Sequence, residues 1–315
     1  MKTFLHDRSD FKDLISSLSL ELKIDPQLIE KDYWIMQALW GLNFLGLKYE
    51  LKGGTSLAKG WKCIDRFSED LDIFIHPPET LKLQTGKNHT KKQHIQARRE
   101  YFDSLVKKLD IPGFVSVSRD PVFDDEKLMR NAGLRLNYPN LFGQVQGLKD
   151  GILLEAGFDQ TTPHDKITIS SWLYDKAFEV KLDVMDNRAM HVPCYVPEYT
   201  FVEKLQTIST KFRQFQEDGE KPINFMRHYY DVHQLLKLER VQKFIGSKEY
   251  FEHKQKRFRS GDNKDITQNE AFIISDARMR NEFQLAFERS KGLYYKGQPT
   301  FLQIIESFKP YLSKL

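Results

Sequence analysis

The chain has 315 residues and a mass of 37.2 kDa, room for two domains of about 150 residues or one large one. Apolar residues make up 40%, charged residues 29%, and the mean hydropathy is −0.55, a balance that excludes disordered, collagenous and membrane-embedded classes and predicts a soluble globular protein. The formal net charge of +4, at a pI near 8.7, permits an anionic partner without requiring one.

No apolar run approaches the ~20 residues that cross a bilayer, so no membrane association is expected. The opening MKTFLHDRSDFKDL is too charged for a signal peptide, and the expected compartment is the cytoplasm. Cys63 and Cys194 are the only cysteines and lack CxxC or CxxH spacing, which argues against a disulfide scaffold and a thiolate zinc site.

From Asp25 to Leu42, apolar Leu28, Ile29, Tyr33, Ile35, Met36, Leu39 and Trp40 recur at three- and four-residue spacing behind an Asp25 N-cap and Pro26, which predicts an amphipathic helix. Leu47, Tyr49 and Leu51 alternate with Lys48 and Glu50 as in a strand, and Gly53-Gly54 ends it with a turn. A short helix over Thr55 to Ile64 and a strand over Leu71 to Ile75, stopped by Pro77-Pro78, complete the unit. The lysine-rich Thr80 to Lys108 reads as a loop followed by a helix. Further strands are expected at Phe114 to Ser118, Leu134 to Tyr138, Ile152 to Ala156 and Phe178 to Val184. From Pro197 the pattern turns helical: Val202, Leu205, Ile208 and Phe212 are helix-spaced, helices are expected at Tyr229 to Leu238, Ala271 to Arg289 and Thr300 to Phe308, and a polar surface loop at Arg257 to Thr267. The expected organisation is an α/β domain over 1–196, with N-terminal helices, and a helical domain over 197–315.

The most informative stretch is Gly53-Gly54-Thr55-Ser56 followed by Glu69-Asp70-Leu71-Asp72. Residues i and i+2 of a strand share a face, so Asp70 and Asp72 present two carboxylates side by side. Such like charges repel, and a hard divalent cation resolves the repulsion: Mg2+ or Mn2+, which bind through one or two carboxylates and substrate phosphates. Paired glycines let the backbone approach a ligand closely, and the N–H groups opening the next helix, with the Thr55 and Ser56 hydroxyls, form an anion site. Phosphate seat and metal seat together match a nucleoside triphosphate (NTP). Either fragment alone is commonly just a turn or a surface pair; their order on strand, turn, helix and strand supplies the context.

GGTSLAKGW followed by RFSEDLDIFI resembles the nucleotidyltransferase signature of the DNA polymerase β-like superfamily, specifically the AbiEii/AbiGii-type toxin family. Ile29 to Trp34, Glu203-Lys204-Leu205 and Arg227 to Val232 are similar to it as well, so the resemblance runs from about residue 28 to 238. It implies a mixed sheet of the nucleotidyltransferase fold, α/β (α+β), with flanking helices and a helical C-terminal domain contributing to the active site. It also implies that Asp70 and Asp72 hold the metal, that Gly53, Gly54, Thr55 and Ser56 form the nucleotide-phosphate loop, that Lys204 contacts the phosphates and that Asp231 completes the site. The loop reads Gly-Gly-Thr where general polymerases often read Gly-Ser.

A third carboxylate usually completes such a site. Glu155, an acid inside the apolar run Ile152 to Ala156, needs pairing or coordination, and it is favoured over Asp183, whose alternating pattern makes a solvent-facing acid the default. Glu30 to Trp34 reads as a packed and capped helix face. Arg66 and Ser68 flank the acidic pair, where they position it or a phosphate, or simply form the turn. His228 and His233 lack HExxH spacing, against a zinc hydrolase. The basic run Lys87 to Lys108 is either a solvated face or a surface for nucleic-acid phosphates. The expected activity is metal-dependent transfer of a nucleotide from an NTP to an acceptor hydroxyl. By resemblance, it belongs to the toxin of a toxin-antitoxin or abortive-infection system, acting on RNA, with tRNA a candidate acceptor and a separately encoded antitoxin as partner. The alternatives are a protein or small-molecule acceptor, or a non-catalytic nucleotide- or RNA-binding protein.

Overall fold

The computed structural model describes residues 2–143, 148–159, 161–220, 222 and 224–315. The chain divides into two compact units, one of Met1–Gly60 and Ser68–Tyr195, the other of Trp61–Phe67 and Val196–Leu315.

The first unit is built on a seven-stranded mixed sheet in the order β3-β4-β5-β2-β1-β7-β6. Its strands are β1 (Tyr49–Lys52), β2 (Asp70–Ile75), β3 (Ser116–Arg119), β4 (Asn131–Asn137), β5 (Ile152–Gly157), β6 (His164–Ile169) and β7 (Ala189–Tyr195). β2 pairs antiparallel with β1 and parallel with β5, which places it at the centre of the sheet. Helices α1 (Phe11–Leu22), α2 (Pro26–Phe44), the single turn α3 (Gly53–Thr55), α4 (Lys92–Lys108) and α5 (Trp172–Glu179) complete this unit.

Helix α2 starts where expected: the Asp25 side chain accepts from the Gln27 N–H at 2.9 Å, and Pro26 opens the first turn. It is not amphipathic, however. Residues Leu28 to Leu39 are all buried, Glu30, Lys31 and Asp32 included, because α2 packs against α1, α5 and β7. A helix enclosed on nearly all sides loses its polar stripe, and its charged residues must find partners inside.

Three other expectations are corrected. The helix over Thr55 to Ile64 shortens to α3 and a π-helical turn, Ser56–Gly60. Phe178 to Val184 is no strand: Ser171 caps α5 by accepting from the Tyr174 N–H at 3.0 Å, and the chain then turns through Lys181 at φ +56°. Phe178 and Val180 are exposed, so the alternation reflected no buried face; the edge strand β6 and its neighbour β7, not signalled by sequence, lie on either side of it in the chain. The helix over Ala271 to Arg289 is split into α10 (Glu270–Ile273) and α11 (Ala277–Glu288), with Ile274 left-handed at φ +44° and Asp276 capping α11.

In the second unit, α6 (Pro197–Asp218) packs against α7 (Met226–Leu235) and α9 (Lys248–Arg257), with α8 (Glu239–Phe244) between these last two in sequence. α12 (Phe301–Phe308), with Thr300 and Gln303 forming a capping box, packs on α7 and α11 around Tyr229, Phe283, Phe287 and Phe301. The expected loop Arg257 to Thr267 overlaps the end of α9, and its Asp262 is buried, accepting from Thr210 at 2.6 Å.

Candidate active site

β1 ends at Lys52, which lies opposite Asp72 in the antiparallel register, and Gly53 follows at φ +71°. This places the backbone of Gly53 directly against the Asp72 carboxylate: a Cβ there would collide with Oδ2. Only glycine satisfies both the left-handed backbone and the close approach. Replacing Gly53 with alanine is therefore expected to cost about 1–3 kcal/mol of stability, read by urea denaturation, since the side chain displaces Asp72. A Gly53→Ala protein as stable as wild type would show that the turn tolerates a side chain.

Along β2, Leu71, Ile73 and Ile75 are buried, while Asp70 and Asp72 alternate with them on the half-buried face. Glu155 is the half-buried residue within the otherwise buried β5, and parallel register sets it directly beside Asp72. Asp70, Asp72 and Glu155 thus share one face of the sheet. Burial, then the charges of Asp72 and Asp70, push the Glu155 carboxyl up to about 8. Burial and the adjacent Glu69 likewise raise Asp70. Asp183 instead lies in the exposed segment after α5, paired with Lys2 at 2.8 Å.

These carboxylates suit a hard divalent cation. Asp70 Oδ1 is buried with no hydrogen-bond partner, and its other oxygen is held by a cation already, Lys149 Nζ at 2.6 Å from Oδ2. Among the described residues, no three acidic, histidine or cysteine groups already converge around one point. The fit rests on the donor chemistry, the orphaned oxygen and the ammonium standing where positive charge is needed.

The hydroxyls of Thr55 and Ser56, expected to face a phosphate, point into the protein. Thr55 donates to the Asp70 carbonyl at 2.5 Å and Ser56 to that of Tyr195 at 3.5 Å, and both residues are fully buried. Thr55 therefore clamps the glycine turn to the first acidic residue of β2. With α3 only one turn long, what the loop offers a phosphate is backbone that glycine lets come close, not a helix end.

The buried polar run of α2 braces this arrangement. Lys31 pairs with Glu69, next to Asp70, at 3.2 Å; Asp32 pairs with Lys59 of the π-helical turn at 2.7 Å and accepts from the Trp172 N–H at 2.8 Å. Glu30 accepts from the Leu141 N–H at 3.0 Å. The packed face expected at Glu30 to Trp34 is real, but its charged members support both the glycine turn and the acidic strand. A run of three charged residues inside an apolar helix was the available signal, since buried charges need partners.

In the second unit, Asp231 on α7 is fully buried between Arg66 and Lys204. Arg66 forms a two-bond fork onto it at 2.6 and 2.7 Å, and Lys204 of α6 reaches Oδ2 at 2.9 Å. Burial alone would raise this carboxyl, yet the two cations overcome that and hold Asp231 well below the usual range. With both oxygens held by cations and no exposure to solvent, Asp231 fixes Lys204 and Arg66. Arg66, expected to position the acidic pair or a phosphate, is committed to Asp231. Burial, and then Lys204 and Lys211, keep His228 uncharged, and His233 bonds Ser307 at 2.8 Å.

The basic run divides. Arg98 is buried and bonds the carbonyls of Leu128, Gln84 and His89, a structural role, while Lys87, Lys91, Lys92, Lys107 and Lys108 are exposed. Among the described residues no helix is long and apolar enough to cross a membrane.

No curated protein matches the sequence. The chain is similar to a crystal structure described as that of a candidate nucleotidyltransferase from H. pylori, at 14% identity and a TM-score of 0.37, over 91% of this chain and 98% of that one. The family model described as the nucleotidyl transferase AbiEii toxin of a type IV toxin-antitoxin system matches residues 34–313. With glycine turn, acidic strand and buried Lys204–Asp231 pair all inside that match, the chain belongs to the AbiEii family of nucleotidyltransferase toxins.

Proposed function

We propose that this nucleotidyltransferase moves a nucleotide from an NTP to a hydroxyl of an RNA acceptor, tRNA being the first candidate. The acceptor oxygen forms a bond to the α-phosphorus, the bond to the β-phosphate oxygen breaks, and pyrophosphate leaves. The observation that carries this reading is the shared sheet face of Asp70, Asp72 and Glu155 beside a turn only glycine can make.

Those three carboxylates are the residues that would hold Mg2+ or Mn2+, which supplies charge stabilisation to the attacking and leaving oxygens. Gly53 and Gly54 let the triphosphate approach the backbone, and Lys204, oriented by Asp231, is assigned to its phosphates. Without the cation, burial and the neighbouring Asp72 and Asp70 raise the Glu155 carboxyl, and a cation held on this face would favour its ionised form. Family membership implies a cognate antitoxin, and the expected compartment is the cytoplasm.

The test incubates purified protein with each α-labelled NTP, Mg2+ or Mn2+ and total bacterial RNA, resolved on a denaturing gel. Label in a discrete RNA band is the expected result and identifies donor and acceptor together. Label in protein or in a small molecule would replace the acceptor; NTP binding with no transfer to any acceptor would replace catalysis with a binding role.

A further inference from the structure

The cation that holds Asp70 does not come from its own strand. Lys149 lies just before β5, and its backbone is pinned at both polar groups: its N–H donates to Glu69 Oε2 at 2.7 Å, and its carbonyl accepts from Lys31 Nζ. Lys31 and Glu69 are themselves buried and paired. Beyond this anchor the side chain is about one quarter exposed (26%), lies over the Phe123 ring at 4.5 Å from its centroid, and ends 2.6 Å from Asp70 Oδ2. The anchor fixes where the lysine starts, while its four-carbon stem leaves the ammonium able to re-aim.

A divalent cation on the orphaned Oδ1 would set a second positive charge beside this ammonium on one carboxylate, where the two repel and compete for its charge. Binding one therefore disfavours the other, by the same factor in both directions. Once displaced, the ammonium needs another anion, and a phosphate oxygen is the anion the site's substrate brings.

We propose that Lys149 is a resident counter-cation of Asp70, a positioning residue that neutralises the acidic face before loading, yields the carboxylate to the divalent cation and then turns to the phosphates of the NTP. This rests on the reading of Asp70 and Asp72 as the cation seat. It accounts for three features together: an ion pair inside an acidic cluster, a rigidly anchored backbone, and a flexible lysine in place of an arginine fork.

The experiment titrates Mn2+ alone into wild-type protein and into Lys149→Met, Lys149→Arg and Asp72→Asn variants, following free Mn2+ by electron paramagnetic resonance. Lys149→Met is expected to tighten Mn2+ about fivefold, Lys149→Arg to stay within about twofold of wild type, and Asp72→Asn to lose the site. At saturating Mn2+, Lys149→Met is further expected to raise the KM for NTP about fivefold. Unchanged or weaker Mn2+ binding in Lys149→Met, with binding still lost in Asp72→Asn, would make the pair purely structural and overturn the inference while leaving the cation seat intact. Wild-type Mn2+ binding in Asp72→Asn would move the seat elsewhere and overturn both.

Discussion

Substituting Asp72 with asparagine is expected to lower the transfer rate at least 10³-fold while making the protein more stable at alkaline pH. Asparagine keeps the shape beside Gly53 but removes a full negative charge from the proposed cation seat, and electrostatic stabilisation of a transferring phosphoryl group is worth several kcal/mol. The stability gain follows from Glu155. A carboxyl raised in the folded state to about 8 contributes stability that is full below the unfolded value near 4.5 and is lost as pH rises toward 8. Burial is the largest cause of that rise and Asp72 the next, so removing Asp72 shrinks the loss. The variant should exceed wild type at pH 8 and match it near pH 4.5. Urea denaturation at the two pH values, beside the labelled transfer assay, reads both effects. Retained transfer would remove Asp72 from the chemistry, and a stability difference independent of pH would remove the coupling to Glu155.

The second large effect is structural. Asp231→Ala leaves the guanidinium of Arg66, only 6% exposed, and the ammonium of Lys204, 11% exposed, buried without their shared anion. Breaking a buried pair from one side costs about 3–5 kcal/mol, and here two cations lose their partner at once. Because Asp231 titrates below the usual range when folded, its contribution is fully present above the unfolded value of about 3.9 and is lost as pH falls through the folded value. The gap between wild type and Asp231→Ala should therefore be constant from pH 5 to 7 and narrow in strong acid. A denaturation midpoint for Asp231→Ala equivalent to less than about 1 kcal/mol of loss would show that the cluster is wet or already compensated. An Asp231→Asn protein that folds yet raises the KM for NTP would separate the positioning of Lys204 from folding itself.

The legibility of this molecule differs between its central elements and its periphery. Asp25-Pro26, Gly53-Gly54 and the alternation across Leu71 to Ile75 act within a few residues, through capping, backbone freedom and side-chain period, so α2, the turn and β2 are legible in the amino-acid sequence itself. Phe178 to Val184 had the right alternation but no sheet to lie against, whereas β7 was pinned between β1 and the edge strand β6 by partners far away in sequence. Strand formation depends on that partner, and a single chain segment does not carry it.

At the site, residue types and spacing by themselves determined a carboxylate pair on one strand face, a glycine turn ahead of it and an oxygen-ligand chemistry suited to a hard cation. They also singled out Glu155 as an acid that needed explaining. Tertiary structure alone decided what each polar group faces: Thr55 and Ser56 turn inward, Asp231 is closed between two cations, the charged run of α2 braces the loop, and Lys149 crosses to Asp70. The reason is range. Backbone propensity and side-chain period are local properties of the chain, while pairing of buried charge is settled only by which distant segments the fold brings within about 3–4 Å.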